Sequence, residues 1–211
     1  MPADRLHLVR HGEVHNPGGV LYGRLPHFHL SDRGQAMAKL AADELSASGR
    51  TIKHLVSSPL LRTQQSAAPL GEVFGLDAVT DERLIEPYNV FEGRKLGAGH
   101  IALRPHLYYH LRNPQQPTWG EPYQAIADRM LSAMDGIADE VSGGDAVLVS
   151  HQLPIWMVHL AVAGEKFPHN PRKRRCALSS ITSFEKQNGR WVEVEYRDPG
   201  AALLAIDKGA V

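Results

Sequence analysis

The chain has 211 residues, enough for one domain, or one domain with a modest cap. With 43% hydrophobic and 22% charged residues its usage is that of a globular protein, which excludes a disordered or fibrous chain. Lys plus Arg and Asp plus Glu both number 23, so the formal charge is zero and the whole-body field expected of a nucleic-acid binder is missing. The longest apolar stretch, Leu153 to Gly164, is interrupted by His159 and too short to cross a bilayer. The first apolar run leads straight into charged residues, unlike a signal peptide. A lone cysteine, Cys176, cannot form an internal disulfide, which points to a reducing, cytoplasmic compartment. The 12 histidines are the unusual feature.

Taken in order, Leu6–Val9 is the first predicted buried strand. Ser31 caps a helix whose apolar stripe is Met37, Leu40, Ala41 and Leu45, with Gly49 at its exit. A second strand, Ile52–Ser57, is followed by a helix that Ser58–Pro59 should open in cap-then-proline order and Gly75 should close. Asp77–Thr80 is a third strand. From Glu86 to Trp119 glycines and prolines break the pattern, and a lid excursion over about 87–120 is expected, with one short helix from Pro105 to Arg112. A helix from about Glu121 carries Ile126, Met130, Met134, Ile137 and Val141. A fourth strand, Ala146–Ser150, precedes a helix from Pro154 to Gly164. Ala177–Glu185 and Trp191–Arg197 flank Asn188–Gly189, the signal of a two-residue hairpin. The expected fold over residues 1–211 is a single α/β domain. It should be a three-layer α/β/α sandwich with a mostly parallel sheet and an antiparallel hairpin at the C-terminal edge.

In open parallel sheets the ligand crevice lies beyond the carboxyl ends of the strands. Three predicted strands end there in notable groups: Arg10-His11, Ser58 to Arg62, and Ser150-His151. One edge would then gather two guanidiniums and two imidazoles, with Arg62 near a helix N-terminus. That combination describes a phosphate pocket.

These residues also carry a resemblance. Leu8-Val-Arg-His-Gly-Glu13 with Asn16, Leu30-Ser-Asp-Arg-Gly34, Ser57-Ser-Pro-Leu-Leu-Arg62, Leu84-Ile-Glu86, Phe91-Glu-Gly93, Gly120-Glu121 and Val149-Ser-His151 stand in the order of the histidine phosphatase superfamily. That superfamily includes the cofactor-dependent phosphoglycerate mutases. The resemblance implies that His11 takes the phosphoryl group, that Arg10, Arg62 and His151 hold its oxygens, and that Glu86 donates the proton. It further implies that Asn16, Gly23 and Arg24 line the phosphate or substrate pocket. The loop after Arg24 is about one residue longer than usual, and the step from Glu86 to Phe91 about one shorter.

The expected activity is hydrolysis of a small phosphate ester through a phosphohistidine, with no cofactor, nucleic acid or membrane partner. A phosphoglycerate mutase is the alternative, although Leu111-Arg112-Asn113-Pro114 lacks the arginine pair expected of that group. A phosphate-binding module without catalysis is a third reading, which the complete polar set opposes. Several other signals are set aside. His7, His11 and His15 recur every four residues, yet on a strand rather than a helix, so no metal site is expected. His27 and His29 lie in a loop, and His106 and His110 fall in the lid. Arg172-Lys-Arg-Arg175 reads as a solvated turn unless it lies near the crevice, where it would clamp substrate. Glu92, beside Gly93, reads as a structural hydrogen-bonding residue.

Overall fold

The computed structural model describes residues 3–95 and 120–203. Most of the expected lid, including the Pro105–Arg112 segment, lies outside the described residues. The strands are β1 (Arg5–Arg10), β2 (Ile52–Ser57), β3 (Val79–Thr80), β4 (Asp145–Ser150), β5 (Ile181–Gln187) and β6 (Arg190–Arg197). The helices are α1 (Asp32–Ala47), α2 (Leu61–Phe74), α3 (Tyr123–Glu140) and α4 (Gln152–Ala163). The strands form one sheet in the order β3-β2-β4-β1-β5-β6. The first four pair in parallel, and the β5–β6 hairpin adds antiparallel to β1.

Strand alternation divides the core. Leu6, Leu8, Val56, Ala146, Leu148 and Phe184 turn toward α3 and α4. Val9, Leu55, Val147, Val149 and Ile181 turn the other way, toward α1 and α2. A period of two on buried parallel strands yields this two-sided core, the expected sandwich. Among the described residues no helix is long and apolar enough to cross a membrane.

His7 is fixed inside this sheet. Its Nδ1 lies 2.8 Å from the Ser183 hydroxyl and its Nε2 3.0 Å from Asp145, which also pairs with Arg50. Burial raises the Asp145 carboxyl, but hydrogen bonds from His7 and Arg50 outweigh it and hold the group below the usual range. His7 thus ties β4, β1 and β5 together. His15 stacks on His29 instead, with ring centroids 5.2 Å apart. Among the described residues no three His, Cys, Asp or Glu side chains group as metal ligands would.

Three elements differ from the sequence expectation. α2 begins at Leu61, and Ser58 is not its cap. The Ser58 hydroxyl is turned to His151, while Thr63 Oγ1 and Gln64 Nε2 satisfy the carbonyls of residues 58–60. The first strand of the hairpin begins at Ile181, not Ala177. Residues 177–180 turn against the end of β1, with Ser179 at φ 56°, Ser179 N donating to His11 O and Arg10 N donating to Ser180 O. The third strand contracts to Val79–Thr80, because only Val56 and Ser57 of β2 pair with it. The hairpin turn is as expected, with positive φ at both Asn188 and Gly189.

Candidate active site

Parallel register aligns the strand ends that matter. Arg10 stands opposite Ser150, and Ser57 opposite Val149, so β1, β2 and β4 deliver their next residues to one edge. A close backbone crossing fixes the segment that follows β1. A Cβ on Gly12 would stand 2.3 Å from Gly34 O, and one on Gly34 2.0 Å from Glu13 O. Glycine at both positions lets the first turn of α1 press against the loop that carries His11. Ser31 locks this contact, capping Gly34 N at 3.0 Å and donating to Glu13 at 2.7 Å.

His11 is fully buried. Its Nδ1 faces its neighbour's carbonyl, Gly12 O, at 2.8 Å. A carbonyl only accepts, so the proton sits on Nδ1 and the lone pair on Nε2. Burial first, then the charges of Arg62 and Arg10, depress the pKa well below that of an ordinary imidazole. The ring is therefore neutral at physiological pH with Nε2 unprotonated, the state a nucleophilic imidazole needs.

His151 begins beyond β4 and precedes α4. Its ring centroid lies 5.2 Å from that of His11. Arg62 Nη2 reaches its Nδ1 at 3.3 Å, and Nε2 lies 2.8 Å from the Ser58 hydroxyl. Because a guanidinium can only donate, Nδ1 accepts and Nε2–H donates to Ser58. Burial, then Arg62 and His11, lower its pKa as well.

Arg62 is held from two sides. Nη2 donates to Gly23 O at 2.7 Å, and the guanidinium carbon lies 4.8 Å from the centre of the Tyr22 ring. Its Nε is buried and has no hydrogen-bond partner among the described residues. Such an N–H is costly unless an anion oxygen takes it. Arg10 is anchored through Nη1 to Cys176 O at 2.7 Å.

Glu86 approaches from the segment after β3, with a carboxylate oxygen 3.5 Å from His151 Nδ1. Burial drives its pKa up to about 7, although Arg62 and Arg174 pull the other way. A carboxyl that still holds its proton near neutrality is suited to general acid chemistry.

The remaining predicted site residues stand around this centre. Asn16 uses its amide nitrogen and oxygen on Val20, closing the 16–20 loop. Gly23 holds Arg62 through its carbonyl. Arg24 donates from Nε to the backbone carbonyl of Glu86 at 2.5 Å. In this arrangement Gly23 and Arg24 position Arg62 and Glu86. Glu92 accepts from the backbone N–H of Arg24 at 3.0 Å and of Asn89 at 3.1 Å. Ser58 escapes the sequence reading, because it looks like an ordinary helix cap. The basic run 172–175 reads in the sequence as a solvated turn or, if near the crevice, a substrate clamp; of its residues, Arg174 is partly buried and bonds His169 and Gln152, the residue after His151.

Two buried guanidiniums and two neutral imidazoles gather at the carboxyl edge of a parallel sheet, with a raised-pKa carboxyl beside them, an arrangement suited to receiving an anion next to the Nε2 lone pair of His11. The chain belongs to the histidine phosphatase superfamily (branch 1), whose family profile matches residues 6–199. It is 48% identical over 203 residues to the protein Rv0525 of Mycobacterium tuberculosis, covering 95% of this chain and 100% of the relative. It is 28% identical to the probable phosphoglycerate mutase GpmB of Yersinia enterocolitica, over 88% of this chain and 86% of that one. Among solved structures, mycobacterial glucosyl-3-phosphoglycerate phosphatase Rv2419c in complex with inorganic phosphate superposes with a TM-score of 0.73 at 25% identity, covering 94% of this chain and 99% of that one. Phosphoserine phosphatase of Entamoeba histolytica in complex with 3-phosphoglyceric acid superposes at 0.74 and 19% identity, covering 91% and 95%, a likeness of fold alone.

Proposed function

We propose that the protein is a phosphomonoesterase that works through a phosphohistidine at His11. The observation that carries this reading is the Gly12 carbonyl on His11 Nδ1, which leaves Nε2 as a neutral nucleophile beside two arginines. In the first half-reaction Nε2 bonds to phosphorus as the ester P–O bond breaks, and Glu86 gives its proton to the departing oxygen. In the second, the Glu86 carboxylate takes a proton from water, whose oxygen bonds to phosphorus as the N–P bond breaks. Arg10, Arg62 and His151 hold the phosphoryl oxygens. His151 does so as the imidazolium: with Nε2–H kept on Ser58, Nδ1 must gain a proton as the phosphate dianion binds, and its N–H then replaces the Arg62 contact. Charge-assisted bonds of this kind contribute about 1.5–3 kcal/mol each. The arginines offset the negative phosphoryl charge that a metal ion would otherwise neutralise, so the reaction is proposed to need none.

The glucosyl-3-phosphoglycerate phosphatase neighbour supports hydrolysis, whereas the likeness to GpmB supports a mutase as the second reading. A panel of metabolite phosphate esters, assayed with and without bisphosphoglycerate, separates them. Phosphate release is expected without the bisphosphate. Phosphoglycerate interconversion with no phosphate release would replace the hydrolase with the mutase.

A further inference from the structure

Three side chains hold the segment that ends in Glu86, each on a backbone carbonyl. Arg129 Nη1 from α3 donates to Arg83 O at 2.5 Å, and Ser150 Oγ from β4 donates to Leu84 O at 2.8 Å. Arg24 Nε from the 21–24 loop donates to Glu86 O at 2.5 Å. Two of the three donors are cations, and both turn to one carboxylate, Glu121. Arg129 meets it with Nε and Nη2, at 2.8 and 3.0 Å, and Arg24 Nη2 stands 3.6 Å away. The Arg129 and Glu121 side chains are only 17% and 15% exposed, so solvent screens this fork less than a surface pair.

A close backbone approach places Glu121 there. Gly120 pairs with Asn89 in an antiparallel bridge, and a Cβ on Gly120 would stand 2.7 Å from Tyr88 O. Glycine therefore lets the chain return beside the segment that carries Glu86, just before α3 opens. The charge balance here reaches the Glu86 carboxyl. Arg62 from α2, Arg174 from the segment between α4 and β5, Arg10 from β1 and Arg129 from α3 act on it as cations. His151, 3.5 Å away, faces it uncharged. Arg129 acts with its charge offset by Glu121. Without Glu121, Arg83 O would still hold Arg129 in place with that charge no longer offset, and Arg24 would lose its carboxylate anchor.

We propose that Glu121 is a positioning residue for the proton donor: it braces Arg24 and Arg129 on the Glu86 segment and offsets their charge, so that the Glu86 carboxyl keeps its proton for the leaving oxygen. This role rests on the reading of Glu86 as the acid and deepens it. A nearby anion disfavours ionisation of a carboxyl, and an unpaired cation favours it. Loss of Glu121 thus works against the acid twice, by charge and by place.

The test is a carbon-13 NMR titration of the Glu86 carboxyl in glutamate-labelled protein, its signal assigned by its loss in Glu86→Gln. Glu121→Gln should move the titration to lower pH by at least about half a unit. Arg129→Gln should move it the other way, and Glu121→Gln/Arg129→Gln should return it most of the way to wild type. A merely loosened structure would hydrate the carboxyl in every variant and lower all three. Should Glu121→Gln alone fail to fold, the same downward step is read between Arg129→Gln and the double variant. The alkaline limb of kcat/KM on an alkyl phosphate should follow the NMR shift. Glu121→Gln should also lose at least about fivefold more rate on that ester than on nitrophenyl phosphate. A titration unmoved by Glu121→Gln, or moved downward by Arg129→Gln, would overturn this role. The NMR titration needs no turnover, so the two readings fail separately. The expected shifts without any ester hydrolysis would remove the phosphatase reading and keep Glu121 as the group that holds the Glu86 proton. Hydrolysis with an unmoved titration would remove the role of Glu121 alone.

Discussion

The Ser58 hydroxyl accepts the Nε2 proton of His151 across 2.8 Å, joining the end of β2 to the residue that follows β4. Arg62 occupies the other nitrogen of the same ring, so orientation and tautomer are fixed together. Ser58→Ala should let the imidazole turn and should lower kcat/KM on an aryl phosphate by roughly ten- to a hundredfold, the scale set by a small misplacement. The melting temperature should move little by comparison. Steady-state kinetics and a thermal melt on the same preparation check this; an unchanged rate would make the contact incidental.

His11→Ala removes the proposed nucleophile, and turnover should fall by roughly 10⁴-fold or more. The acid-labile, base-stable phosphoenzyme expected of a phosphohistidine should disappear with it. Labelling with a radioactive phosphate ester and quenching in base provides the measurement. A persistent label in this variant would shift the nucleophile to His151.

With Glu86 as the proposed acid, the activity should be pH-dependent. Its carboxyl titrates near 7, where burial has pushed it up against the pull of the arginines. As a general acid it must be protonated, so kcat/KM on an alkyl phosphate should fall as pH rises above about 7. Glu86→Gln should lose that limb, and should lose far more rate on the alkyl ester than on nitrophenyl phosphate, whose leaving group needs no proton. Glu92→Gln, which weakens the loop contacts to Arg24 and Asn89, should affect both substrates about equally. Leaving-group dependence in the Glu92 variant would transfer the acid role to that carboxylate.

The same shift has a consequence for stability. The carboxyl titrates from the ordinary 4.5 up to about 7 on folding, so between those values the native state binds more protons than the unfolded chain. Stability from this group is present below the lower value and is lost as pH rises through the upper one. The melting temperature of Glu86→Gln relative to wild type should therefore climb by a few degrees between pH 5 and pH 8. A constant difference would mean that Glu86 keeps its ordinary pKa in the fold.

Gly34→Ala would add a Cβ 2.0 Å from Glu13 O, a clash between two backbones with no flexible side chain to yield. The first turn of α1 must then move off the His11 loop. Overpacking of this kind costs about 1–3 kcal/mol, and activity should fall with stability. Matched melts and rates check it, since an active protein with native stability would require the crossing to be looser.

The sequence alone determined the order and kind of the strands and helices, though not the bounds of three of them, and the residues that gather at one sheet edge. Alternating and three-to-four-residue apolar spacing is local, and the carboxyl ends of parallel strands must lie together once the sheet forms. Arg10, His11, Arg62 and His151 could therefore be brought together from their places in the chain, and the Asn188–Gly189 turn from its two residues. Tertiary structure alone decided what each polar atom faces. Ser58 precedes a helix by the same local pattern that makes a cap, and only the arrival of His151, 93 residues away, claims its hydroxyl. Residues 177–180 have the composition of a strand, but the end of β1 holds them in a turn. Gly23 and Arg24 support Arg62 and Glu86 because the 21–24 loop meets the 91–94 segment, where Gly93 N donates to Leu21 O and Leu21 N to Arg94 O. Arg174 came out of its basic run only because the fold brings His169 and Gln152 to accept its N–H groups. Hydrogen-bond partners distant in sequence leave no periodic trace along the chain, and the packing of the folded sheet selects them.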